Sequence, residues 1–206
     1  MKKLIIFDMD GTLIDSSLTL ANAINYVRNQ LGLKAMDEQL ILKSINEPTI
    51  KPSEFFYNAD SFTPQHEEWF SHYYTQNHEQ EIQLYEGIRN LLVILKLEGY
   101  KLAIATNAYR VSAIQSLNHL KLVKQFDVVI CADDVPNGKP HPDMLYSILK
   151  TLNLTTEDAL FIGDGERDQL SAKASNIDYL MVNWGFSDYS NAIHTVEQLQ
   201  QSILEF

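Results

Sequence analysis

Leu4-Ile5-Ile6-Phe7-Asp8-Met9-Asp10-Gly11-Thr12-Leu13-Ile14-Asp15-Ser16 lies almost at the start of the chain. Four apolar residues in succession, cut off by two carboxylates and a glycine, read as a short strand buried on both faces with a polar turn at its carboxyl end. Four more such runs follow: Leu102-Ala103-Ile104-Ala105, Val128-Val129-Ile130-Cys131, Ala159-Leu160-Phe161-Ile162 and Tyr179-Leu180-Met181-Val182. Helical spacings lie between them, in Ile88, Leu91, Leu92 and Leu95, and again in Met144, Leu145, Ile148, Leu149 and Leu152. Gly99 is placed to end the first of these helices. Thr195, with Gln198 three residues on, forms a capping box ahead of a last helix carrying Leu199 and Ile203. Strand alternating with helix predicts an α/β fold, a parallel sheet with helices on both faces.

One interval breaks the alternation. Residues 16–83 contain helical patterning (Leu20, Ile24, Val27, Leu31) and many aromatics but no buried-strand run. This segment is expected to be an inserted helical domain, with residues 1–15 and 84–206 forming the core. Asn46 to Ser53, with Pro48 and Pro52, is its most loop-like part. At 206 residues the chain suits one domain plus such an insertion. The net charge of -11 argues against nucleic-acid and anionic-lipid partners. The lone cysteine, Cys131, precludes an intrachain disulfide. No apolar stretch is long enough to span a bilayer, and the first apolar run is too short for a signal peptide, so the expected location is the cytoplasm.

Ligands of open parallel sheets bind beyond the carboxyl ends of the strands. Asp8 and Asp10 are expected there, close enough to repel unless a cation or proton intervenes. Gly11 frees the backbone for a tight turn, and Thr12 adds a hydroxyl. The second run ends in Thr106-Asn107, a hydroxyl and an amide. The fourth ends in Gly163-Asp164-Gly165-Glu166-Arg167-Asp168, and Gly138-Lys139-Pro140-His141-Pro142 precedes it. Clustered carboxylates of this kind suit Mg²⁺. Together these residues supply a carboxylate nucleophile, a carboxylate acid/base, a metal site and a fixed positive charge, the parts required for covalent phosphoryl transfer.

These four motifs, in this order, resemble those of the haloacid dehalogenase superfamily, in its phosphoglycolate-phosphatase-like branch with a helical cap. Tyr85-x-Gly87 and Val182-x-Trp184-Gly185 extend the resemblance over nearly the whole chain. The resemblance implies a Rossmann-like core with an inserted α-helical cap, and a Mg²⁺-dependent phosphatase acting on a small phosphorylated metabolite, monomer or dimer. It implies Asp8 as nucleophile and Asp10 as acid/base, with Lys139 offsetting the charge of Asp8. The substrate-binding set would be Gly11, Thr12, Thr106, Asn107 and Lys139. Mg²⁺ would be held by Asp8, Asp164 and the backbone carbonyl of Asp10, with Asp168 orienting a metal-bound water. Two departures stand out: Gly165 where the family often has a small hydroxyl residue, and no counterpart of the usual glycine-bearing cap loop around Ile45-Asn46-Glu47-Pro48. The same core would also serve a phosphosugar mutase resembling β-phosphoglucomutase, or a non-catalytic regulatory relative.

Other residues take plainer expectations. Asp15 caps the next helix. Glu166 is a first-turn acid favoured by the helix dipole. Trp69, Phe70, Tyr73 and Tyr74 form cap core. His66, His72 and His78 are spaced six apart and share no helical face, which disfavours a histidine metal site. Arg28 and Arg110 are the basic residues best placed to meet a substrate, although each is more often a surface residue.

Overall fold

A computed structural model describes residues 2–186, 189 and 191–206. The chain begins with β1 (Leu4–Phe7) and the two-residue β2 (Ile14–Asp15). Four helices follow: α1 (Ser17–Gln30), α2 (Glu38–Ile45), α3 (Pro52–Tyr57) and α4 (Pro64–Glu81). After β3 (Gln83–Leu84) the order is α5 (Ile88–Leu97), β4 (Lys101–Ala105), α6 (Arg110–His119), β5 (Val128–Ile130) and α7 (Asp143–Leu152). It closes with β6 (Ala159–Gly163), α8 (Glu166–Ser175), β7 (Asp178–Met181) and α9 (Val196–Leu204). All five expected strands are present.

The main sheet is parallel, in the order β5-β4-β1-β6-β7, so the first strand lies at its centre. All four residues of β1 are fully buried, and they alternate between two cores. Ile5 and Phe7 join the cluster holding Leu91 and Leu95 of α5, Leu117 of α6 and Ile203 of α9. Leu4 and Ile6 join Met144 and Ile148 of α7 and Ala172 of α8 on the other face. A strand covered on both sides has no polar face, which is why it reads as a continuous apolar run.

The helical insertion enters and leaves through one ladder. Ile14 pairs with Leu84 and Asp15 with Gln83, antiparallel. The insertion has its own core of Ile24, Val27, Ile41, Phe56 and Tyr57. Its loop is shorter than expected. Pro52 starts α3 at the first helical position, where a proline's fixed φ and missing N–H cost nothing. Two further details follow from local chemistry. Asn176 ends α8 at φ 57°, the left-handed geometry that asparagine tolerates. At α9, Thr195 accepts the Gln198 N–H at 3.2 Å, but the Gln198 side chain accepts from His194 rather than from Thr195. Cys131 is buried and free, and burial pushes its thiol up to about 12. Among the described residues, no helix is long and apolar enough to cross a membrane.

Candidate active site

The carboxyl ends of β1, β4 and β6 meet on one side of the sheet. Asp8 follows β1 directly, its N–H donating to Ile162 O at 2.8 Å. The chain then turns tightly, with Met9 O accepting from the N–H groups of Leu13 at 2.9 Å and Ile14 at 3.0 Å. Gly11 stands at φ 81°, and a Cβ there would lie 2.4 Å from Asp164 Oδ2. Glycine is therefore required twice at this position, for conformation and for approach. The carboxylate of Asp10 accepts from Ser16 Oγ at 2.5 Å and lines the same cavity as Asp8. Asp15 accepts from both Ser17 N–H and Ser17 Oγ, at 3.2 and 2.6 Å, but the N-cap position of α1 is Ser16, not Asp15 as expected.

Lys139 is the hub. Its Nζ lies 2.5 Å from Asp8 Oδ1 and 2.6 Å from Asp168 Oδ1, and all three side chains are buried. The lysine is fixed from behind by Asn107, whose Oδ1 accepts Lys139 N–H at 2.8 Å and whose Nδ2 donates to Lys139 O at 2.9 Å. Asn107 is expected among phosphate ligands; in the structure its amide holds the backbone of Lys139. Gly138 permits this, because a Cβ there would lie 2.7 Å from Asn107 Oδ1. Asp168 further accepts Gly165 N–H at 3.1 Å, tying the start of α8 to the same cation. Thr106 is buried beside Asp8's strand end, its Oγ1 accepting from Ala108 N–H at 3.0 Å.

Asp164 is reached from three directions. Phe186 N–H donates to it at 3.1 Å, Asn46 Nδ2 at 3.0 Å and Thr12 Oγ1 at 3.4 Å. Asp8, Asp164 and Asp168 each offer an oxygen, all within 4.8 Å of one another. Burial raises the Asp8 carboxyl well above its ordinary range, and neighbouring Asp168 and Asp164 push the same way against Lys139. Burial also raises Asp164, with help from Asp168, to about 7. Burial alone would depress Lys139, but Asp168 and Asp8 hold it above its usual value. Three carboxylates facing one ammonium leave an excess of negative charge in a dry place. A hard divalent cation bound by oxygens matches that donor set.

Two contributors were missed. Asn46, at the end of α2, and Arg167, in the first turn of α8, clasp the insertion onto the core. Arg167 donates to the backbone oxygens of Ile45 at 3.2 Å, Glu47 at 2.8 Å and Ile50 at 3.3 Å. Gly165 explains the fit, since a Cβ there would sit 2.8 Å from Asn46 Cγ. The unusual Gly165 was thus the available signal, and what it pointed to was a partner across the domain junction. Arg167→Ala should speed amide exchange across residues 46–51 by on the order of tenfold or more, because each charge-assisted hydrogen bond contributes roughly 1.5–3 kcal/mol. Unchanged exchange in that loop would show that the clasp is not what holds it.

Arg28 and Arg110 do not reach the site. Arg28 donates to Lys34 O at 2.8 Å and to Phe56 O, and Arg110 pairs with Asp134. Glu166 begins α8, outside the three-carboxylate group. His66 is buried and accepts Thr63 N–H on Nδ1 at 3.4 Å, closing the cap of α4; His78 stacks on Tyr74. Trp69 and Phe70 pack on the insertion's core as expected, but Phe70 and Tyr74 also line the cavity above Asp8.

Residues 5–182 match the family described as haloacid dehalogenase-like hydrolase. The chain is 33% identical over 196 residues to a phosphoglycolate phosphatase of Yersinia pseudotuberculosis, covering 92% of this chain and 84% of that one. It is 31% identical to a phosphoglycolate phosphatase of Colwellia psychrerythraea, covering 90% and 86%. Among solved structures, one described as a predicted phosphatase from Clostridium acetobutylicum superposes with a TM-score of 0.87 at 27% identity, covering 100% of both chains.

Proposed function

The chain belongs to the haloacid dehalogenase-like hydrolases, and from that membership we propose that it is a Mg²⁺-dependent phosphatase of small phosphomonoesters, working through an aspartyl phosphate on Asp8. The observation that carries this reading is the buried Lys139 ammonium held between Asp8 and Asp168, with Asp164 alongside. Lys139 pulls the Asp8 carboxyl back toward the charged form that attack requires, against the burial that raises it.

In the first step an Asp8 oxygen attacks phosphorus, and the bond from phosphorus to the ester oxygen breaks. Asp10 gives its proton to that departing oxygen. In the second step Asp10, now a carboxylate, takes a proton from water as the water oxygen attacks phosphorus. The bond from phosphorus to Asp8 breaks, leaving inorganic phosphate and the free Asp8 carboxylate. Thr106 and Lys139 bind the phosphoryl oxygens, and Asn107 keeps Lys139 in place. Asp8, Asp164 and the Asp10 backbone carbonyl would hold Mg²⁺, and Asp168 would orient its water. The ion supplies positive charge opposite the transferring oxygens when bound. The insertion acts as a cap that keeps bulk water from the site.

Phosphate release from a panel of phosphomonoesters, with Mg²⁺ and then with chelator, tests the reading. Turnover that requires the metal is expected. No release from any ester would overturn it.

Asp10 gives a second test. Burial raises its carboxyl above the ordinary 3.8, with Ser16 and Lys139 pulling it down by less. Its proton is therefore kept to higher pH than in a free carboxylic acid, and is lost as pH rises through the raised value. At the acid end, Asp8 gains a proton and can no longer attack. The expected profile is a bell. Asp10→Asn should remove the proton-donor limb and slow alkyl phosphates more than 4-nitrophenyl phosphate, whose leaving group needs no proton. An equal loss on both esters in single-turnover formation of the aspartyl phosphate would contradict the proton-donor role given to Asp10.

A further inference from the structure

Above Asp8 lies a cavity of about 560 Å³, far more room than a phosphoryl group requires and within the range of small-molecule sites. Its floor is the carboxyl end of the sheet. Its upper walls come from the cap and are mostly apolar, with Leu20 and Ile24 of α1, Phe56 of α3, Phe62 in the loop before α4 and Phe70 of α4, beside the polar Asn46, His66, Glu67 and Ser71. Phe62 is 45% exposed, so it is not spent on the cap's own core.

The charges in this cavity are as informative as the hydrocarbon. Among its described lining residues, the permanently charged cations are Lys139 and Arg167, and the imidazoles are His66 and His141. Lys139 is held between Asp8 and Asp168, and Arg167 by the oxygens of Ile45, Glu47 and Ile50. Arg28 and Arg110 are engaged elsewhere, and neither lines the cavity. The acid Glu67 does line it, accepting from Tyr109 OH at 3.0 Å. Seated against Phe56, Phe62 and Phe70, a carboxylate on the substrate's organic part would lose its water against aromatic rings, while Lys139 is already held by Asp8 and Asp168 and Arg167 by cap backbone oxygens. Burying an unpaired charge in that way is strongly unfavourable.

We propose that the ester's organic group is uncharged and apolar, an aryl-bearing or alkyl alcohol, seated against Phe56, Phe62 and Phe70, and that esters of short carboxylated alcohols are poor ligands. The inference rests on the phosphatase reading for the position of the phosphoryl group. It differs from what the names of the chain's relatives suggest, because phosphoglycolate carries a carboxylate where this cavity offers hydrocarbon.

Binding of non-hydrolysable phosphonates to the Mg²⁺-loaded full chain, followed by calorimetry, separates this inference from the catalytic one. Propylphosphonate, 3-phenylpropylphosphonate and 3-carboxypropylphosphonate share one headgroup and differ only at the far end. The phenyl ligand should bind about tenfold or more tightly than the propyl ligand, the scale of burying one ring. The carboxylate ligand should bind several-fold more weakly than propyl. Phe62→Ala should shrink the gap between phenyl and propyl by about threefold, the part of the ring's burial that one flanking side chain supplies. A carboxylate ligand that matches or exceeds the phenyl one would overturn the proposal, as would no gain from the ring or no measurable phenyl binding. Absence of phosphate release from every ester would instead strike the phosphatase reading, whatever the ranking of phosphonates.

Discussion

Asp8→Asn should abolish phosphate release, by on the order of 10⁴-fold or more, while the protein stays folded. The substitution keeps the shape of the side chain and removes the attacking oxygen's charge. Its neighbours predict that folding will not suffer. Asp8 is buried beside Asp168 and Asp164, and both push its carboxyl toward the protonated form. A neutral amide relieves that repulsion, and Lys139 keeps Asp168 at 2.6 Å as its partner. Thermal melting within a few degrees of the parent protein, together with lost turnover, is the expected pair of results. Substantial residual turnover would mean that some other group attacks phosphorus.

Lys139→Met should do the opposite to stability. It removes the cation between Asp8 and Asp168 and leaves three carboxyl groups crowded in a buried site. Breaking a buried ion pair from one side costs roughly 3–5 kcal/mol. The cost should depend on pH, and the sign follows from proton binding. Burial already raises the folded-state values of Asp8 and Asp164, the latter to about 7, and loss of Lys139 raises them further. The folded state then holds more protons than the unfolded chain, so stability falls as pH rises from the ordinary 3.8 through the raised values. Denaturant titrations of metal-free protein should therefore show a large deficit at pH 8 that narrows toward pH 4.5. Equal deficits at both would show that Lys139 matters for packing and not for charge.

Most of the core was legible because its physics is local. A strand covered on both faces must be apolar throughout, so β1 and its neighbours β4 and β6 announce themselves, the partly exposed edge strands β5 and β7 still carry short apolar runs, and helical spacing locates α5 and α7 between the strands. The polar ends of those strands carried Asp8, Thr106 and Asp164 into view together, since a parallel sheet brings its carboxyl ends to one side. The cap contact was not legible. Asn46 meets Asp164, 118 residues away, and Arg167 meets backbone oxygens of residues 45–50, whose side chains say nothing about that role. Asn107 was read as a ligand because its amide suits phosphate; only the fold shows the same amide holding the Lys139 peptide. The aromatic residues of α4 pose a related difficulty. Core packing and cavity lining draw on the same residue types, and Phe70 and Tyr74 serve both.

The central claim is that phosphorus passes through a covalent bond to Asp8. Each displacement at phosphorus inverts its configuration, so the two displacements of this mechanism restore it. Hydrolysis of a substrate made chiral at phosphorus with oxygen isotopes reads the outcome directly. Retention of configuration in the released phosphate is the expected result. Inversion would mean that water attacks the ester in one step, and would contradict Asp8 as the nucleophile.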